Sequence, residues 1–255
     1  STTKFKHLLE PRITYNYIPN MDRNDRLKIK KFDRIDTTAN PANSITYEFG
    51  QRLLKKIKIG PDEHQTKQIL RFNVSQTYNI REATKQKQPG IDRHPFSDIY
   101  FDFDSRPTDS LLFNTDASYN IETDSVNKFN FEAGIKPIKD LWLIMERRWT
   151  KNGPNYILGT LDMALKPGWR MQYSARYDEL ASTFRENQFS LLYDNPCKCW
   201  GFAFDVIDRK LNEASGRTED QTQFLWTIKL RGLGNLGGKN KGKFLHRGFE
   251  DNFFP

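Results

Sequence analysis

Two residues in this chain have the spacing to carry thiol chemistry. Cys197 and Cys199 are the only cysteines in 255 residues. They lie in the run YDNPCKCWGFAFDV, 193–206, just ahead of a stretch in which Trp200, Phe202, Phe204 and Val206 alternate with Gly201, Ala203 and Asp205. Side chains two apart on an extended chain point the same way, and disulfide geometry is narrow. A bond between the two therefore demands a strained backbone. If they are oxidised, their partners are expected on a segment outside this chain, in an oxidising compartment. The competing reading is two ordinary thiols beside a turn. Zinc fits poorly: His7, His64, His94 and His246 are scattered, without the paired spacing of a structural site.

A second set of residues could in principle do acid–base work. Asp102, Asp116, Glu132, Asp162 and Asp205 recur at polar positions along the chain. Arg71, Arg170, Arg176 and Lys229 recur at equivalent positions. Mixed signs favour a charge-balanced polar wall over a catalytic pair. No nucleophile motif accompanies them. The run GLGNLGG from Gly232 follows a strand-like segment and opens no helix, so it does not read as a dinucleotide loop. No catalytic residue, cofactor or metal is expected.

These residues sit on elements whose dominant period is two. Trp169, Met171, Tyr173, Ala175 and Tyr177 alternate with Arg170, Gln172, Ser174, Arg176 and Asp178. Phe72, Val74, Gln76, Tyr78 and Ile80 alternate with Arg71, Asn73, Ser75, Thr77 and Asn79. Phe129, Phe131, Ala133 and Ile135 form a third stripe, and Trp226, Ile228 and Leu230 a fourth. Such alternation predicts strands with one face in water. Twelve segments qualify: about 4–18, 44–59, 66–80, 96–105, 111–121, 126–136, 141–150, 156–165, 169–178, 183–193, 199–209 and 221–231. Most approach the roughly 9–11 residues that a tilted strand needs to cross a bilayer.

Connector lengths orient the segments. The long links, 19–43, 81–95 and 211–220, are odd-numbered. The even-numbered links are short and turn-like: GPDEHQ from Gly60, RPTDS from Arg106, KPIKD from Lys136, KPG from Lys166 and DNPCK from Asp194. Outer-membrane barrels pair short periplasmic turns with longer outer loops. Twelve strands with both ends in the periplasm would place the cysteines at a periplasmic strand foot. Trp142, Trp169 and Trp200 then fall near periplasmic strand ends and Trp149 near an outer end, as an aromatic girdle.

Composition bounds the alternatives. Charged residues make up 28% of the chain, yet aromatics reach 13%, which argues against disorder. No apolar run approaches the roughly 18 residues of a membrane helix. No secretory signal opens the chain, so the protein is expected either to stay in the cytosol or to have lost its N-terminus. The net charge of +8 and pI near 9.3 raise nucleic acid as a partner, but no recognition motif supports it. The densest basic cluster, Arg26 to Arg34, reads as a solvated loop. Anionic lipid headgroups are a further candidate counterpart. A soluble sandwich also alternates, but it does not require uniform strand length or an ionised inner face.

The segment YDELASTFRENQFSLLYDNPCKCWGFAFDVIDRKL, followed by QFLWTIKLRGLGNLG, resembles the C-terminal end of the lipopolysaccharide-assembly outer-membrane barrel family, LptD, also called organic-solvent-tolerance protein. The shared elements are Cys197, Cys199 and Trp200, then Leu230, Arg231, Gly232 and Leu233. The opening KHLLEPRITYNYIP resembles a strand of the same family. In the family the cysteine pair is often adjacent, whereas Lys198 intervenes here.

The resemblance implies an all-β fold: an antiparallel up-and-down transmembrane barrel segment of about twelve strands, part of a larger barrel in a Gram-negative outer membrane. Residues 1–231 would be barrel strands and 232–255 a periplasmic tail. It implies a non-enzymatic role in lipopolysaccharide transport and insertion into the outer leaflet. The partners would be lipopolysaccharide, a luminal plug lipoprotein, a periplasmic lipopolysaccharide-bridge protein and outer-membrane lipid. Cys197 and Cys199 would bond to a periplasmic domain and be free thiols in this chain alone. Trp226, Ile228 and Leu230 would border a lateral seam. The alternatives are a self-contained outer-membrane porin or barrel enzyme, and a soluble basic β-protein that binds nucleic acid or polysaccharide.

Overall fold

A computed structural model describes residues 4–20, 40–58, 60, 63–86, 92–197, 199–212, 218–230 and 234–237. The Arg26–Arg34 cluster, Arg231 and most of the expected tail, including Gly232 and Leu233, lie outside the described residues.

The alternating segments form strands. They are β1 (Lys4–Ile18), β2 (Ala42–Lys58), β3 (His64–Asn79), β4 (Ile99–Thr108), β5 (Leu111–Asn120), β6 (Ser125–Ile138) and β7 (Leu141–Thr150). They continue as β8 (Asn155–Lys166), β9 (Trp169–Asp178), β10 (Thr183–Asp194), β11 (Trp200–Asn212), β12 (Thr218–Leu230) and a short β13 (Gly234–Gly237). One five-residue helix, α1 (Ile80–Thr84), follows β3. The fold is an all-β, up-and-down meander whose strands hydrogen-bond in chain order, from β1 at one end to β13 at the other. No described helix is long and apolar enough to cross a membrane, which leaves crossing by strands open.

The chain divides into two compact units, Ser1–Ala133 with Arg147–Pro154, and Gly134–Glu146 with Asn155–Pro255. In the first, β1 to β5 pair antiparallel in sequence. In the second, β8 to β13 do the same. The tight reversals use left-handed backbone at Asp124, Asn152, Ser182 and Gly168, residue types that tolerate or favour it in turns. Gly168 has a further reason. A Cβ there would lie 2.4 Å from the Asp194 carbonyl oxygen, because Asp194 N–H donates to the Gly168 carbonyl at 2.8 Å.

Several boundaries differ from the sequence reading. The Phe72–Ile80 stripe stops at Asn79, whose side chain accepts from the Glu82 N–H at 3.0 Å and starts α1 at Ile80. The RPTDS and KPIKD turns are shorter than expected, since Arg106–Thr108 and Lys136–Ile138 stay in β4 and β6. Pro107 and Pro137 stand next to strand ends, where a missing donor matters little. The expected tail also returns to the sheet. Gly234–Gly237 pairs with Thr227–Leu230, giving backbone partners to that part of the β12 edge.

The burial pattern is inverted relative to a soluble sandwich. Among the described residues, the buried apolar side chains are Leu112, Ile144, Leu158 and Ile207. Ten polar or charged residues are buried, including Glu146, Asp162, Ser174, Glu186, Gln188, Ser190 and Asp205. Large apolar side chains such as Ile13, Tyr173, Phe224 and Trp226 are exposed. A soluble domain hides its aromatics between layers; here the polar face is crowded and the aromatic face is bare.

Candidate functional site

Strand register sorts side chains onto two faces, since residues opposite one another share a face. In the second unit, Leu158, Thr160, Asp162 and Ala164 oppose Arg176, Ser174, Gln172 and Arg170. These oppose Glu186, Gln188, Ser190 and Leu192, which oppose Arg209, Ile207, Asp205 and Ala203. The row ends on β12 at Gln221, Gln223, Leu225, Thr227 and Lys229. In the first unit, Arg12, Glu48 and Ser75 lie in register, as do Arg71, Asp104 and Asn114.

The polar residues of this face are wired to one another. Arg170 Nε donates to Asp162 Oδ1 at 2.5 Å, its Nη2 also meets Asp162, and Gln172 donates to the same carboxylate at 2.8 Å. Glu186 accepts from Arg209 and lies 3.8 Å from Arg176. Asp205 accepts from Ser190 and, at 3.3 Å, from Gln188. In the first unit, Arg71 Nε donates to Asp104 at 2.7 Å and its Nη2 to Asp102 at 3.0 Å. Asp116 is held by Lys128 at 2.6 Å and by Asn130 at 3.0 Å. Glu132 accepts from Asn114 at 3.2 Å. Arg52 grips Glu10 with Nε at 2.7 Å and with Nη2.

The structure thus places Arg71, Asp102, Asp116, Glu132, Asp162, Arg170, Arg176 and Asp205 in cross-strand polar contacts. Lys229, opposite Gly201, is exposed. Each of the five carboxylates named from sequence is engaged by a donor. Sequence reasoning missed Asp104, Lys128, Glu186 and Arg209. For Asp104, Glu186 and Arg209 the signal is opposite charge directly across a ladder, which needs the register. Two bulges hid part of it. The shift between Phe184 and Glu186 puts Phe184 against Tyr177 on the aromatic face, ring centroids 5.3 Å apart, although Phe184 has the parity of the polar residues.

The other face carries the aromatics. Trp169, Met171 and Tyr173 oppose Tyr193, Leu191 and Phe189, and these oppose Phe202, Phe204 and Val206. Trp200, Phe202 and Phe204 oppose Leu230, Ile228 and Trp226. The one amide in the β3 stripe is satisfied: Tyr47 donates to Gln76 Oε1, and Gln76 donates to the Ser97 carbonyl at 3.0 Å, as apolar surroundings require. Trp169, Tyr193 and Trp200 form a ring series with centroids 4.9 and 5.3 Å apart. Trp142 lies at the start of β7, with Lys136 Nζ 6.0 Å from its ring centroid, and Trp149 lies near the other end of the same strand. On the expected seam, Ile228 and Leu230 lie where β13 pairs, and Trp226 lies just beyond that pairing and is exposed.

The cysteines depart from expectation. Cys197 and Cys199 are bonded to each other, with Cα atoms 5.2 Å apart. The expectation of two free thiols in this chain is therefore corrected: no described cysteine is free. The argument against a mutual bond assumed extended backbone. The pair instead lies in the turn between β10 and β11, where the Asn195 side chain accepts from the Cys197 N–H at 3.1 Å and Asn195 N–H donates to the Trp200 carbonyl at 3.1 Å.

Comparison with known proteins covers the first part of the chain. Residues 1–158 match the model of a family described as LptD, LPS transport system D. The match includes the KHLLEPRITYNYIP strand and ends before the cysteine element. No curated protein matches the chain.

Proposed function

This chain belongs to the LptD family, LPS transport system D, and on that premise we propose that it forms part of the wall of an outer-membrane β-barrel that passes lipopolysaccharide into the outer leaflet. The observation that carries the reading is the inversion of faces. Asp162, Glu186 and Asp205 are buried in polar contacts, while Tyr173, Phe224 and Trp226 are bare. Lipid supplies apolar cover for the second set, and a polar lumen suits the first.

The division of labour follows from solvation. Sugar hydroxyls and phosphates of lipopolysaccharide exchange water for the amides, hydroxyls and guanidinium groups of the polar face. Acyl chains gain nothing there and remain in lipid. Arg71, Asp102, Asp116, Glu132, Asp162, Arg170, Arg176, Asp205 and Lys229 are the lumen-facing set in this reading. A luminal plug lipoprotein and a periplasmic lipopolysaccharide-bridge protein are the proposed partners. Residues 1–231, with the β13 strand that pairs with β12, form barrel wall, and a periplasmic segment follows. The upper part of β12, which lies beyond the β13 pairing, borders the lateral exit. The role is non-enzymatic, and the location is the outer membrane of a Gram-negative bacterium.

Photocrosslinking in cells tests this. A photoreactive residue replaces Asn73 or Gln172 on the polar face, or Tyr173 on the aromatic face, in the full-length protein. Lipopolysaccharide adducts are expected from Asn73 and Gln172 while transport is running, and are expected to fade when lipopolysaccharide synthesis is blocked. Adducts from neither position in a correctly folded protein would overturn the proposal.

A further inference from the structure

The corner formed by the β8–β9 and β10–β11 turns is built more deliberately than a strand end requires. Strand alternation would send Lys166 to the polar face with Asp162 and Ala164. A bulge between Ala164 and Lys166 breaks that parity and sets Lys166 opposite Trp169. The Lys166 ammonium then lies 5.7 Å from the Trp169 ring centroid, within cation–π range. Bulges commonly re-aim one side chain in this way. From Trp169 the ring series runs through Tyr193 to Trp200 across three strands. Lys166 is exposed and Trp200 is 42% exposed.

The corner is also fixed in place. Asp194 N–H donates to the Gly168 carbonyl at 2.8 Å. A Cβ on Gly201 would lie 2.5 Å from the Asp194 carboxylate and 3.0 Å from the Tyr193 carbonyl oxygen. Gly168 therefore lets the β8–β9 turn close on the end of β10, and Gly201 lets β11 pair closely with Asp194 there. The same pairing of a lysine with a tryptophan recurs across the β6–β7 turn at Lys136 and Trp142.

We propose that Lys166, Trp169, Tyr193 and Trp200 form a seat for one anionic glycerophospholipid, with the phosphate at Lys166 and the glycerol and upper acyl region against the three rings. The proposal rests on the barrel reading above. Charge complementarity selects the ligand: an ammonium at the edge of an aromatic shelf favours a net-negative headgroup over a zwitterionic one. Indole and phenol rings favour the headgroup–acyl boundary.

The test uses full-length protein in detergent, titrated separately with phosphatidylglycerol and phosphatidylcholine, with retained lipids counted by native mass spectrometry. The wild type is expected to retain phosphatidylglycerol roughly five-fold better, the effect of one cation at a headgroup. Lys166→Gln should abolish that preference, Lys166→Arg should keep it, and Trp169→Leu should weaken retention of both lipids. Gel mobility before and after heating checks that each variant is folded. Equal retention of both lipids by the wild type, or an unchanged preference in Lys166→Gln, overturns the seat and leaves the barrel reading standing. A protein that stays in solution without detergent and retains neither lipid overturns both.

Discussion

Asp162 and Arg170 meet across the β8–β9 ladder as a two-point pair, their side chains 8% and 19% exposed. Gln172 donates to the same carboxylate. Such a pair contributes little when made but costs a great deal when half of it is removed, because the remaining charge stays buried. Asp162→Leu should therefore destabilise the protein by about 3–5 kcal/mol. Replacing both partners, as Asp162→Leu with Arg170→Met, should restore most of that loss. Denaturant unfolding of the four proteins of the cycle in detergent measures the coupling. Additive losses would mean that the pair is solvated.

Tyr173 points away from that pair, on the aromatic face at mid-strand, and is 43% exposed. If it meets lipid near the bilayer midplane, Tyr173→Arg should cost roughly 2–4 kcal/mol. Tyr173→Leu should cost far less. Folding titrations into phospholipid vesicles give both values. Equal stability of the arginine and leucine variants would place Tyr173 in water.

Gly168→Ala probes the closed turn corner. Its φ of +80° and the 2.4 Å approach of the Asp194 oxygen leave no room for a methyl group. A loss of roughly 1–3 kcal/mol is expected from backbone strain alone, read as a lower denaturant midpoint. An unchanged midpoint would show that the two turns separate freely.

The Cys197–Cys199 bond closes a very short loop. Short loops restrict the unfolded chain weakly, so Cys197→Ser with Cys199→Ser should cost under about 2 kcal/mol. A loss above roughly 4 kcal/mol in the full-length protein would instead indicate long-range crosslinks to another domain. Alkylation followed by non-reducing peptide mapping identifies the partners directly.

The strands were legible in the sequence because each aromatic stripe repeats every second residue, as in Trp169, Met171 and Tyr173. Their ends were harder to read. Ile80 continues the apolar alternation, yet the Asn79 cap turns it into helix. Lys166 and Phe184 have the parity of the polar face and leave it through bulges, which change the count by one residue without changing composition. The polar face was visible in Arg71, Asp162 and Arg170, whereas Glu186 with Arg209 and Arg71 with Asp104 emerge only from cross-strand register. The cysteine bond was missed because the Cys-x-Cys pair was weighed on extended-backbone geometry, although DNPCK from Asp194 was read as a turn and the pair lies in it.

The claim that the polar face lines an aqueous lumen and the aromatic face meets lipid is tested most directly by spin-label accessibility. A full-length protein with every native cysteine replaced by serine carries a single nitroxide at position 172 or 173 in outer-membrane vesicles. The label at 173 should relax with dissolved oxygen, which concentrates in lipid. The label at 172 should relax with a water-soluble nickel chelate. Nickel access at 173, or the same response at both positions, would contradict the account.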